Sequence, residues 1–113
     1  MPTYDNLPVY KDSYDLLLNI YIFSVDMTRE YKYTLGDNLK TETVAMITNI
    51  YRANSTQVDR SVRIQSAREN LEVIRLFLRL LKDLRQISLN KFIAINELIE
   101  SVSKQLTAWK NHS

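Results

Sequence analysis

The chain contains no cysteine. A disulfide scaffold, a thiolate metal site and a cysteine nucleophile are therefore excluded. Its one glycine is Gly36, and its two prolines, Pro2 and Pro8, stand near the start. A β-protein needs turn residues along its whole length, and after Pro8 there are almost none. One glycine cannot build a glycine-rich phosphate loop. The one histidine, His112, lies in the polar tail 111–113, so no internal Ser–His–Asp set or histidine metal site can form. No apolar run reaches membrane-spanning length. The segment Met1-Pro2-Thr3-Tyr4-Asp5 has no basic stretch followed by an apolar one, so it does not read as a signal peptide. These absences predict a cytoplasmic protein that is not an enzyme, with no cofactor, no metal, no membrane partner and no small-molecule substrate.

What remains is ordinary globular material. The 113 residues predict a single domain, 1–113. Hydrophobic residues make up 45% of the chain, enough for a packed core and too many for a disordered segment. The spacing of those residues is helical and predicts an all-α chain, an antiparallel up-down-up-down four-helix bundle with helices at about 9–31, 35–53, 57–86 and 89–110.

Helix one carries two apolar stripes. Tyr14, Leu17, Leu18, Tyr21 and Val25 form one, read as the core face. Leu16, Ile20, Phe23 and Met27 form the other. Thr34-Leu35-Gly36-Asp37 reads as the N-cap of helix two, whose inner face is Leu39, Thr43, Met46, Ile47 and Ile50. Thr56 with Asp59 offers a cap for helix three. In that helix Ile64, Ala67, Leu71, Ile74, Leu78 and Leu81 repeat at alternating steps of three and four, beside a second stripe of Val73, Phe77, Leu80 and Leu84. Ser88 caps helix four, which packs through Phe92, Ile95, Ile99, Val102, Leu106 and Trp109. A bundle of this size has little interior to cover two stripes per helix. Leu16, Ile20, Phe23, Met27, Val73, Phe77, Leu80 and Leu84 are therefore expected to form a contact between copies.

Charge is unevenly placed. Residues 1–51 hold four basic and seven acidic side chains, and residues 52–91 hold nine and four. On helix three Arg68, Glu72, Arg75, Arg79, Lys82 and Gln86 fall on one face. Two readings of this strip stand: a solvated stripe knitted together by Glu72, or a row of cations for phosphate or a partner, where arginine suits bidentate contact. By angle Arg85 and Arg63 lie on the packing face at opposite ends of the helix, where they could rim an interface or, for Arg85, cap the last carbonyls. The binding candidates are thus Arg68, Arg75, Arg79, Lys82, Arg85 and Arg63. Glu97 and Glu100 read as a solvated face, Tyr14 and Tyr21 as packing residues, and Tyr4 and Tyr10 have no assigned role.

Several segments carry a resemblance: Tyr33-Thr34-Leu35-Gly36 after a long first helix, Ile50-Tyr51-Arg52-Ala53-Asn54 closing the second, Arg79-Leu80-Leu81-Lys82-Asp83-Leu84 with Ile87-Ser88 at the third turn, and Gln105-Leu106 with Trp109 near the end. In their order and spacing, over roughly residues 10–110, they resemble the Avd-like four-helix bundle family. That family includes the accessory variability protein of diversity-generating retroelements and bundle proteins encoded in intervening sequences of large-subunit ribosomal RNA genes. The resemblance implies a homopentameric barrel without catalysis of its own. It also implies partners: a reverse transcriptase, its template RNA and DNA, bound through basic surface in support of mutagenic cDNA synthesis and retrohoming. On this chain the matching cations are Arg79 and Lys82, extended to Arg68, Arg75 and Arg85. One departure is Met27-Thr28-Arg29-Glu30, which stands where many relatives have a Phe-Pro-Lys-like break. Helix one is accordingly expected to run straight into its turn. The alternative function is a structural or protein-interaction bundle of the ribosomal intervening-sequence type, without a direct nucleic-acid role.

Overall fold

Pro8 opens α1 (Pro8–Ser24) at the position where a missing backbone donor costs nothing. A computed structural model describes residues 7–112 and continues from there with a helical turn, Arg29–Tyr31. That turn passes through a π-helical segment, Lys32–Gly36, into α2 (Asp37–Ser55). α3 (Arg60–Asp83) and α4 (Leu89–Asn111) complete the described residues, among which there is no strand. The readings of Met1-Pro2-Thr3-Tyr4-Asp5 and of Tyr4 lie outside the described residues. Each helix packs on its neighbour in sequence, and α1 closes the ring against α4. With turns of four or five residues, this makes a four-helix bundle, 42 Å along its longest axis.

The inner faces of the last three helices follow the spacing, except that Ile47, Phe92 and Trp109 are only half-buried. Leu39, Met46 and Ile50, then Ile64, Leu71, Ile74, Leu78 and Leu81, then Ile95, Ile99, Val102 and Leu106 are all buried. Burial of about 2 kcal/mol per such side chain is the main stabilising contribution.

Each seam also carries a polar pin. Between α1 and α4, Asp12 accepts hydrogen bonds from Ser101 at 2.8 Å and Gln105 at 2.7 Å. Between α2 and α3, Asn70 donates to Glu42 at 2.6 Å and accepts from Asn49 at 2.9 Å. Between α3 and α4, Arg75 pairs with Glu100. Between α1 and α2, the Lys40 ammonium lies 4.5 Å from the centre of the Tyr21 ring.

The first turn departs from the sequence reading. Helix one stops at Ser24 rather than continuing to Tyr31. The Ser24 hydroxyl donates to the Tyr21 carbonyl at 2.9 Å, and Asp26 N–H and Met27 N–H bond back to Phe23 and Ser24. Met27 is then buried against Gly36, where an added Cβ would lie 3.4 Å from the Met27 methyl carbon. The chain thus turns without proline because Met27 has an apolar seat to fill. The Thr34 cap is also corrected: Thr34 sits inside the π segment, and its hydroxyl donates to the Glu30 carbonyl. Thr56 caps no helix either. It accepts from Val58 N–H, and α3 begins only at Arg60, whose Nε donates to the Ala53 carbonyl at the end of α2. Ser88 is the cap expected: its hydroxyl accepts from Lys91 N–H at 3.2 Å.

Candidate partner and nucleic-acid interface

The basic strip of α3 lies on the flank that faces α4, opposite the flank on which Asn70 reaches α2. That position engages much of its charge. Arg75 pairs with Glu100 across the seam and with Glu72 at 3.3 Å on its own helix. The hydrogen bond from Arg75, and then its charge, hold the Glu100 carboxyl below the usual carboxylate range. The same hydrogen bond raises Arg75 further above its ordinary value, against the opposing effect of its burial. Glu100 is therefore a structural partner rather than part of a solvated face. Arg68 donates to Gln65 at 3.1 Å, and Lys110 of α4 donates to the same Gln65 oxygen. Lys82 is half-buried, with its ammonium 4.9 Å from the Phe92 ring centre.

Among the described residues, Arg79 is the member of the strip that stands exposed without a partner. Arg63 is half-buried in the first turn of α3, at the far end from Arg85. Arg85 is exposed and lies outside the helix, so the packing-face angle read from the sequence does not apply to it. Its φ is 60°, the left-handed region that favours glycine. Gln86 N–H bonds to the Leu81 carbonyl at 2.8 Å and Arg85 N–H to the Lys82 carbonyl at 3.0 Å, which is a Schellman closure with arginine in the glycine position. Gln86 has left the strip altogether. Its side-chain oxygen accepts from Thr28 N–H at 2.8 Å and its amide donates to the Leu84 carbonyl at 3.1 Å, clasping the first and third turns together.

The two stripes of α1 exchange places. Leu16, Ile20, Phe23 and Met27, expected between copies, are buried in the protomer's own core. They are corrected to core residues because α1 turns that face toward both α2 and α4. Tyr14, Leu18, Tyr21 and Val25, expected inside, are 48–66% exposed. Lys40 on Tyr21 adds a contact between α1 and α2, and Val44 and Tyr51, also exposed, continue this surface onto α2. Of the α3 stripe, Val73, Phe77 and Leu84 are half-buried and Leu80 is 38% exposed. A signal for the exchange is present in the residue types: two tyrosines, whose hydroxyls prefer water, mark the outer stripe.

A family model described as bAvd-like matches residues 9–113. The chain belongs to the bAvd-like family. No individually curated protein matches it. The bAvd-like match takes in all four helices together with the α3 strip and the α3–α4 turn. Among the described residues, no helix of this bAvd-like protein is long and apolar enough to cross a membrane.

Proposed function

We propose that this bAvd-like protein is a non-enzymatic accessory subunit of a diversity-generating retroelement. It works in the cytoplasm as a homopentameric barrel that binds the element's reverse transcriptase and its template RNA, and so supports mutagenic cDNA synthesis and retrohoming. The observation that carries this reading is the two-sidedness of the protomer. Exposed apolar surface runs along α1 and α2, through Tyr14, Leu18, Tyr21, Val44 and Tyr51. Positive charge gathers on the other half: residues 7–55 hold five basic and six acidic side chains, residues 56–112 ten and six. Unlike faces on opposite sides of a protomer allow head-to-tail association, which forms a ring where the rotation between neighbours closes. The exposed Leu76, Leu89 and Ile93 give the α3–α4 side apolar surface to meet the neighbour's tyrosines. Arg79 and Lys82 remain at the seam for phosphate or polymerase contact.

The engagement of Arg75 and Arg68 within the protomer favours the second reading, a structural protein-interaction bundle that leaves nucleic acid alone. Charge reversal separates the two. Arg79→Glu with Lys82→Glu is expected to weaken salt-dependent RNA retention, lowering the salt slope by about one per lost cation, and to reduce co-purification with the reverse transcriptase. If both associations survive the reversal unchanged, the strip has no part in them and the second reading stands.

A further inference from the structure

The α3–α4 turn is more than a connection between helices. On one side of it lies a cleft of about 400 Å³ lined by Ile22, Phe23, Ile87, Asp26 and Lys91. On the other lies one of about 530 Å³ lined by Lys82, Arg85, Ile87 and Leu89. Gln86 and Ser88 border both. The ridge between them is held from two directions, by the Gln86 clasp onto Thr28 and by the Schellman closure around Arg85. Ile22, Val25 and Leu89 leave this end of the bundle with exposed apolar surface, at 55%, 66% and 62%. Three cations, Lys82, Arg85 and Lys91, face one lining carboxylate, Asp26.

The geometry points to this bundle end as a docking site for an acidic, amphipathic segment of a protein partner. The apolar floors take its hydrophobic side chains, and its carboxylates answer the surplus of positive charge. A nucleic-acid strand fits less well. Its phosphates would pass Asp26, and Phe23, the aromatic ring in the lining, is buried and offers no open face for a base to stack on. The backbone of the turn is already hydrogen-bonded on both sides, which lowers the ordering needed on binding. A left-handed arginine persists only where its surroundings over-determine it, and here the turn projects that guanidinium outward beside the cleft. The inference rests on the partner-binding reading above and adds the chemistry of the partner's contact.

The test uses the full chain and a labelled, capped peptide of leucine and glutamate at helical spacing, followed by fluorescence anisotropy. The expected result is saturable binding in the micromolar range. It should weaken at least about tenfold in Arg85→Gly with Lys91→Glu, and stay unchanged in Arg52→Glu, an exposed position in the last turn of α2. Arg85→Gly removes the guanidinium while suiting the left-handed turn, so this variant keeps its fold, which circular dichroism checks. A lysine-for-glutamate peptide is expected not to bind. Absence of saturable binding by the acidic peptide overturns the inference, as does equal displacement of it by an oligothymidine. The polymerase and RNA associations are scored separately with the unsubstituted chain. If both persist while the peptide fails to bind, the docking site alone is overturned. If the peptide binds where they fail, the site stands and the retroelement reading falls.

Discussion

At the scale of single residues, this bundle tolerates polar groups in its core where each can bond locally. Thr43 is fully buried and donates to the Leu39 carbonyl at 2.8 Å, and Ser24 is served by Tyr21. Ser13 differs: it is fully buried on the core face of α1, and its hydroxyl has no partner among the described residues. An unmade hydrogen bond in an apolar setting costs about 1–3 kcal/mol, and alanine is the better helix former. Ser13→Ala is therefore expected to raise stability by about 1 kcal/mol, read as a higher midpoint in urea with unchanged slope. An unchanged or lower midpoint would mean that the hydroxyl is satisfied in solution. No sequence pattern marks Ser13 as unpartnered. The helical period places it near the inner face, and only the packing around it denies the hydroxyl an acceptor.

At the scale of elements, the inner faces of α2 and α4 are legible because their apolar residues form one dominant stripe each, and that of α3 because its six-residue stripe outruns the second, four-residue one. α1 is ambiguous because two stripes of similar hydropathy compete, and which one turns inward depends on where α2 and α4 sit. The turns are the least legible part. Met27 and Gly36 meet across the first turn, and Gln86 reaches from the third turn to the first, 58 residues away, pairings that no local motif announces. Gln86→Ala is expected to lower stability by about 1 kcal/mol through loss of that clasp. In hydrogen exchange, the Thr28 amide should lose protection while amides in mid-α3 keep theirs. The α3–α4 ion pair gives a pH signature. Arg75 depresses the Glu100 carboxyl below its unfolded value, so the contribution of the charged form is present above the ordinary glutamate range. It is lost as the pH falls through that range and below it. Arg75 titrates far above any working pH and adds nothing to this window. Glu100→Gln is thus expected to shrink the drop in thermal midpoint between neutral pH and about pH 3. An identical drop in both proteins would show that the pair contributes nothing.

At the scale of the whole molecule, the sequence separated charge from apolar surface but could not say which apolar surface stays outside. The structure directs attention to Tyr14, Leu18, Tyr21, Val44 and Tyr51 as the face available for contact between copies. Leu18→Glu with Tyr21→Glu is expected to lower the mass measured by light scattering while leaving helicity intact, since both side chains are about half exposed in the protomer. Leu16→Glu is expected to unfold the protein instead, because that residue is fully buried. A double variant that keeps the wild-type mass would remove this face from the proposed assembly.

The polar pins along the seams have a consequence for winding sense. Four helices joined by short turns can be arranged around a common core with either handedness, and the same apolar stripes would serve both. In the opposite arrangement the Asn70 flank of α3 would turn toward α4 and the Arg75 flank toward α2. Asn70 would lose Glu42 and Asn49, Arg75 would lose Glu100, and Asp12 would lose Ser101 and Gln105. Each loss strands partly buried polar groups in the mirror arrangement alone. The half-buried amides and carboxylates thus choose between two bundles that the hydrophobic residues cannot tell apart.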